Sequence, residues 1–157
     1  MRSITYGEVS FVEMISIIKE YTSKDPNVEY VIAVGTDSQN FDYTKVPVTL
    51  GIHKVINGVG SGGIYFFDIK KVKRIDNIRQ KVLMETNLSI ELAFKVAELF
   101  KENNIPYGIS VHVDVGPNGP TSKYIPEIKG WVKSCGFNCV IKPDSYMASS
   151  VANMLSK

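Results

Sequence analysis

Apolar and polar positions along the chain predict helices and strands in a mixed order. Ser10 followed by Glu13 has the spacing of a capping box, and apolar residues then recur at helical spacing, which predicts a first helix over 11–22. Residues 29–36 are rich in β-branched side chains and form a run too short for a helix, so they predict a buried strand. This pattern ends near Asp37, which places a carboxylate at the carboxyl end of the strand.

Two longer alternating patterns follow, over 46–56 and 62–73, and predict a β-hairpin. The glycine-rich stretch 57–63 between them is predicted to be its loop. Three glycines of this stretch spell G-x-G-x-x-G, but a dinucleotide-binding loop needs a helix after it, and here a strand pattern follows. A flexible turn is therefore favoured over a cofactor site.

The second half of the chain alternates between helical and strand patterns. The predicted order is a long helix, a strand, a helix, a strand and a final helix, over 78–101, 107–115, 125–135, 137–141 and from Pro143 onward. A hairpin followed by such alternation predicts an α/β fold with a mixed sheet covered by helices.

Composition narrows the class of protein. The 157 residues, 44% hydrophobic and 22% charged, fit one globular domain over 1–157. No apolar run approaches the ~20 residues of a membrane-spanning helix, and the first residues lack the pattern of a secretion signal, so we expect a cytoplasmic protein with no membrane partner. Cys135 and Cys139 are the only cysteines, and we expect structural thiols rather than a zinc site. The net charge of +2 is too small to indicate a nucleic-acid partner by itself.

Glu85 is the acidic residue that solubility alone explains least well. On a helical wheel it lies among the apolar residues of the long helix, whereas Glu91 and Glu98 lie on a different side. A carboxylate turned toward the protein needs a compensating cation or a raised pKa, because an unpaired buried charge is costly. A functional site is the favoured interpretation. The alternatives are a salt bridge to Lys81 or Arg79, or a helix that begins late enough to leave Glu85 in solvent.

Three aspartates lie at the ends of other predicted core elements. Asp37 and Asp114 end strands, and carboxylates at the carboxyl ends of strands are natural binding positions in open α/β sheets. Asp144 follows Pro143 at the start of the last helix. Each aspartate taken alone has a competing structural role, in a turn for the first two and as a helix N-cap for Asp144.

The four acids Asp37, Glu85, Asp114 and Asp144 thus lie in the order strand, long helix, strand, final helix. This order resembles the ribonuclease H-like nuclease superfamily. Three stretches more narrowly resemble the YkuK-type bacterial family of predicted ribonuclease H-related proteins, namely Val34–Gln39, Val111–Gly116 and Lys142–Tyr146. The similarity covers roughly residues 11–155, nearly the whole chain.

The resemblance implies a five-stranded mixed sheet in the order 3-2-1-4-5, with strand two antiparallel to its neighbours, helices on both faces and an extra N-terminal helix. It also implies a site for Mg²⁺ or Mn²⁺ formed by the four acids. Two departures from the superfamily's motifs disfavour an exonuclease and an enzyme specific for RNA:DNA hybrid. The exonuclease branch carries Asp-x-Glu on strand one, where this chain has Asp37-Ser38-Gln39. Ribonuclease H proper has a histidine in the loop before the last acid, where this chain has none.

Phosphodiester hydrolysis needs an activated water and neutralisation of charge on the phosphate, which two hard cations about 3.5–4 Å apart can supply. In this hypothesis Asp37 bridges both ions. Glu85 and Asp114 hold one ion, and Asp144 holds the other more loosely. The residues predicted to orient these ligands or a water are Ser38, Gln39 and His112, although for His112 a hydrogen-bonded core histidine is the favoured interpretation.

Basic side chains are concentrated just before and within the start of the long helix. Six lysines and arginines against one aspartate give +5 over residues 70–81. Phosphates could lie along them toward the acids, so the predicted substrate-binding residues are Lys70, Lys71, Lys73, Arg74, Arg79 and Lys81. A solvated edge strand protected by lysines is the alternative.

The sequence therefore predicts a Mg²⁺- or Mn²⁺-dependent nuclease that cuts RNA, DNA or a hybrid by a two-metal-ion mechanism. The main alternative is a catalytically inactive nucleic-acid-binding module of the same fold, in which the acids serve capping and ion pairing. Nucleotide phosphotransfer, as in actin-like ATPases of this fold, is disfavoured because 157 residues hold one copy of the fold. The pattern does not indicate an oligomeric state.

Overall fold

The computed structural model describes residues 1–25, 27–36 and 45–146, which form one mixed sheet and three α-helices. The strands are β1 (Arg2–Ser3), β2 (Gly7–Glu8), β3 (Glu29–Thr36), β4 (Lys45–Ile56), β5 (Val59–Lys71), β6 (Ile109–His112) and β7 (Asn138–Val140). The helices are α1 (Phe11–Ser23), α2 (Ile78–Glu102) and α3 (Ile125–Ser134). None of these helices is long and apolar enough to cross a membrane.

The five central strands confirm the predicted sheet. Their order is β5-β4-β3-β6-β7, with β4 antiparallel to both neighbours and β6 parallel to β3 and β7. The prediction of five strands was incomplete, because β1 and β2 form a small hairpin that adds to the edge at β5. Each of these two strands has only two residues, too few for an alternating pattern to appear in the sequence.

The predicted hairpin is confirmed, but its loop is shorter than the predicted stretch 57–63. β4 and β5 are joined by a two-residue turn, in which Asn57 and Gly58 both have positive φ, +51° and +77°. This is the backbone of a tight hairpin turn that preserves the twist of long strands. The other glycines of the stretch therefore lie inside β5, and no helix follows to make a dinucleotide site. β6 is also shorter than the predicted strand over 107–115 and ends before Asp114.

The core lies between the three helices and one face of the sheet. Tyr30, Ile32 and Val34 alternate along β3 toward this face, and the buried side chains of α1, α2 and α3 join the same apolar cluster. The capping box at the start of α1 is present, with Ser10 and Glu13 each accepting from the other's backbone N–H. On the opposite face, Tyr146 packs against Ala33. Apart from its first residues, the predicted last helix lies in 147–157, outside the described residues.

Candidate active site

A cleft of about 520 Å³ lies between the first half of α2 and the loops that follow β6 and β7. Its walls are largely apolar, and the loop over 116–121 forms one side of it. Its charged and polar lining residues are Lys81, Glu85, Asp114, Asn118, Thr121 and Lys142. Two of the four predicted acids therefore face one cleft.

Glu85 lies on the buried side of α2 and is only 7% exposed. The helix begins well before it, since the Asn77 side chain caps the helix by accepting the Gln80 N–H at 3.0 Å. The late helix start that would have left Glu85 in solvent is thereby wrong. Arg79, one of the salt-bridge partners considered from the sequence, instead pairs with Glu127 on α3 at 2.6 Å. The long helix thus presents a largely buried carboxylate to the cleft.

Asp114 lies two residues beyond the end of β6. The backbone there stays paired with the segment that follows β7. The Val113 N–H donates to the Val140 carbonyl at 2.9 Å, and the Lys142 N–H donates to the Val115 carbonyl. These bonds bring Lys142 beside Asp114, where the lysine Nζ lies 2.7 Å from the aspartate Oδ1. The Asp114 side chain is 13% exposed, so this ion pair is partly shielded from water.

Lys142 is the site residue that the sequence prediction missed. Its only signal was its place in the stretch Lys142–Tyr146, where attention fell on Asp144. Asp144 is exposed and is not among the residues that line the cleft, although the two residues before it are. Its backbone N–H donates to the Ile141 carbonyl at 3.0 Å, as in a turn.

The end of β3 is fastened to α2 close to Glu85. The Thr36 and Ser89 hydroxyls share a hydrogen bond of 2.8 Å between two side chains that are almost fully buried. Ser89 lies one helical turn after Glu85. Asp37, Ser38 and Gln39 fall in 37–44, outside the described residues, so their roles stay predictions.

We expect Ser89→Ala to destabilise the protein by about 1–3 kcal/mol, because the buried Thr36 hydroxyl loses its partner while remaining out of water. Urea denaturation measures the change. The double variant Thr36→Val with Ser89→Ala should recover part of the loss, since no lone hydroxyl is left. If the double variant lost more free energy of unfolding than the two single variants lose when their losses are added, this account would be contradicted.

The predicted substrate-binding residues of 70–81 do not all lie at the cleft. Lys81 lines the cleft beside Glu85. Arg74 pairs with Asp76 at 3.0 Å, and Arg79 pairs with Glu127. Lys70 lines a second, smaller cavity with Asp68 and residues of α2, while Lys71 and Lys73 are exposed.

Comparisons with known proteins assign the chain to a family. The family model for Ribonuclease H-like proteins matches residues 13–157. The chain belongs to the ribonuclease H-like family. It is 32% identical over 168 aligned residues to the uncharacterized protein YkuK of Bacillus subtilis (strain 168), with 99% of this chain and 95% of that protein covered. No solved structure shows significant similarity to it.

Membership of the ribonuclease H-like family supports a nuclease-type or nucleic-acid-related function, and the family generally uses divalent metal ions. Within 1–25, 27–36 and 45–146, no three His, Cys, Asp or Glu side chains group so as to hold a metal ion. Two carboxylates in one cleft nevertheless fit Mg²⁺, which proteins usually bind through one or two carboxylates together with waters and substrate phosphates. Glu85 and Asp114 are hard oxygen donors of this kind.

His112 lies away from the cleft in this ribonuclease H-like protein. It is buried on the sheet face opposite the helices, and its ring packs edge-on against Tyr146 with centroids 4.8 Å apart. Tyr146 also stacks on His53, whose Nε2 lies 2.5 Å from the Tyr65 hydroxyl. Burial, with a smaller contribution from His53, lowers the pKa of His112 to about 4. This environment fits the core histidine that the sequence favoured over a positioning role.

Protonation of His112 should oppose folding. Its pKa is about 4 in the folded protein and about 6.5 in the unfolded chain, so between these values the unfolded chain binds the extra proton. Stability is therefore lost as the pH falls below about 6.5, by about 3 kcal/mol at pH 4. Chemical denaturation from pH 7 to pH 4 should show a shallower pH dependence for His112→Gln. Equal slopes for the two proteins would refute the assignment.

Proposed function

We propose that this protein is a divalent-cation-dependent nuclease that hydrolyses phosphodiester bonds in RNA or DNA. The observation that carries the proposal is the placement of Glu85, on α2, and Asp114, two residues beyond the end of β6, in a single cleft. Of the four acids in the family pattern, these are the two that line the cleft among the described residues. Membership of the ribonuclease H-like family supports the same class of chemistry.

In this proposal Glu85 and Asp114 hold a Mg²⁺ or Mn²⁺ ion, with Asp37 and Asp144 completing a site for two ions. When bound, the ions supply an activated water and cancel negative charge on the phosphate and the leaving oxygen. The protein's own part is to hold the carboxylates in place before the substrate arrives. α2 does this for Glu85, and the hydrogen bonds between the Asp114 and Lys142 segments do it for Asp114.

The substrate would approach over the outer end of the cleft. Lys81 already lines it, and the exposed Lys71 and Lys73 lie in the segment that leads into α2. Phosphate contacts by such lysines add affinity that is independent of sequence and falls with salt. Arg74 and Arg79 would have to exchange their present carboxylate partners for phosphates.

Cleavage assays test the proposal directly. Labelled 20-nucleotide single-stranded RNA, single-stranded DNA, both duplexes and an RNA:DNA hybrid are incubated with the full chain and Mn²⁺, with EDTA as the control. We expect cutting of at least one polymer that EDTA abolishes. Mn²⁺ alone, at about 100 times its Kd, should also raise the melting temperature by roughly 5 °C or more. An unchanged melting temperature together with five intact polymers would overturn the proposal.

A catalytically inactive nucleic-acid-binding module is the second candidate. It is favoured by the ion pair between Lys142 and Asp114, which shows that this carboxylate already has a cationic partner. This candidate predicts salt-dependent binding to nucleic acid that is unaffected by Mn²⁺ or EDTA. The two functions therefore differ in whether Mn²⁺ is needed for what the protein does to nucleic acid: the nuclease needs it for cleavage, and the binding module binds equally well without it.

A further inference from the structure

Lys142 is held in a definite position by its surroundings. Its backbone N–H donates to the Val115 carbonyl at 2.9 Å, and its aliphatic stem lies over Gly116. A Cβ atom at Gly116 would approach the Cβ of Lys142 to 3.1 Å and its Cδ to 3.4 Å, so the glycine leaves the room that the stem occupies. The side chain is nevertheless 49% exposed, so its ammonium group can turn from Asp114 toward the mouth of the cleft.

The ammonium of Lys142 and a metal ion would need the same oxygen. The Lys142 Nζ lies 2.7 Å from Oδ1 of Asp114, so it contacts this oxygen directly. A divalent ion bound by Asp114 would bring two like charges together, and their repulsion favours movement of the lysine into solvent. A phosphate bound at the ion would then offer the displaced ammonium a new negative partner.

We propose that Lys142 is a displaceable counter-ion, which pairs with Asp114 before the divalent cation binds and contacts the substrate phosphate afterwards. This inference rests on the proposed nuclease function and adds a residue to it. The exchange leaves the number of cations facing Asp114 unchanged at each stage. Lys142 thereby lowers the affinity for metal ion alone and raises the affinity for metal ion together with nucleic acid.

Direct titration of Mn²⁺ against the metal-free full chain, followed by the Mn²⁺ electron paramagnetic resonance signal, tests the first half. Lys142→Met keeps the apolar stem over Gly116 and removes the charge, so it should bind Mn²⁺ about fivefold more tightly than the unmodified protein. Lys142→Arg keeps the charge and should show no such gain. Lys101→Met is the matched control, because Lys101 lies in the last turn of α2, away from the cleft.

Binding of nucleic acid tests the second half. The probe is the polymer cut fastest in the cleavage panel, held with Ca²⁺ in place of Mn²⁺ and titrated between 50 and 300 mM KCl. Lys142→Met should lower affinity and reduce the slope of log K against log salt by about 1, as for one lost phosphate contact. Lys142→Arg should retain the slope. A purely structural role for Lys142 would leave the salt slope unchanged.

The outcomes separate the two proposals. If the unmodified protein binds Mn²⁺ and cuts nucleic acid while Lys142→Met changes neither the Mn²⁺ affinity nor the salt slope, the counter-ion role is overturned and the nuclease function stands. If the unmodified protein neither binds Mn²⁺ nor cuts, both proposals fail. Circular dichroism and melting temperature confirm that each variant is folded.

Discussion

Glu85→Gln should lower the rate of metal-dependent cleavage by about 10³-fold or more. The substitution keeps the shape of a side chain that is only 7% exposed and removes the charge that would hold the cation. Stabilisation by a metal ion contributes several kcal/mol to such a reaction, and each 1.4 kcal/mol is about tenfold in rate. Single-turnover cleavage with Mn²⁺ measures the loss, and Asp114→Asn should show the same direction of change.

Glu98→Gln provides the matched control for this prediction. Glu98 lies on the same helix but is exposed and is not among the residues that line the cleft. We expect it to retain the full cleavage rate. A rate for Glu85→Gln within tenfold of the unmodified protein would show that Glu85 is a structural carboxylate rather than a ligand. Loss of the melting-temperature increase with Mn²⁺ should accompany the loss of rate.

Phe66→Ala should destabilise the fold by about 3–5 kcal/mol, the largest stability change that we expect. Phe66 is fully buried on β5, pairs across the sheet with Leu50, and belongs to the apolar cluster between sheet and helices. Truncation to alanine removes its apolar contacts and leaves a cavity that close-packed neighbours fill only partly. In a chain of 157 residues this corresponds to a drop in melting temperature of roughly 10 °C or more.

Phe94→Ala is the matched comparison, because Phe94 is half-exposed on α2 and packs edge-on against Phe137. Its loss should cost no more than about 1.5 kcal/mol. Thermal and urea unfolding measure both variants. If the two truncations proved equally destabilising, the cluster between the sheet and the helices would not be the main source of stability.

Local patterns carried most of the fold prediction. The apolar periodicity of 78–101 gave both the extent of α2 and the side on which Glu85 lies, because helical spacing alone determines which residues share a face. The capping box set the start of α1, and the β-branched run 29–36 coincides with β3. The order of the five central strands came from the family resemblance, and the structure confirms it.

Errors arose where the sequence signal was short or ambiguous. The strands β1 and β2 are too brief to show alternation, and their existence depends on pairing with β5. The stretch 57–63 contains enough glycine to suggest a loop, yet cross-strand hydrogen bonding extends β5 through most of it. In both places the pairing partner, rather than local propensity, decided the conformation.

The sequence by itself determined that Glu85 faces inward on a long helix and that acids follow the strands. Only the tertiary structure decided that Glu85 and Asp114 share a cleft and that Lys142 is the cation beside Asp114. It also decided that His112 lies on the opposite face of the sheet, against Tyr146. The physical reason is that a helical face follows from spacing within one segment, whereas contacts between distant segments depend on strand register and packing.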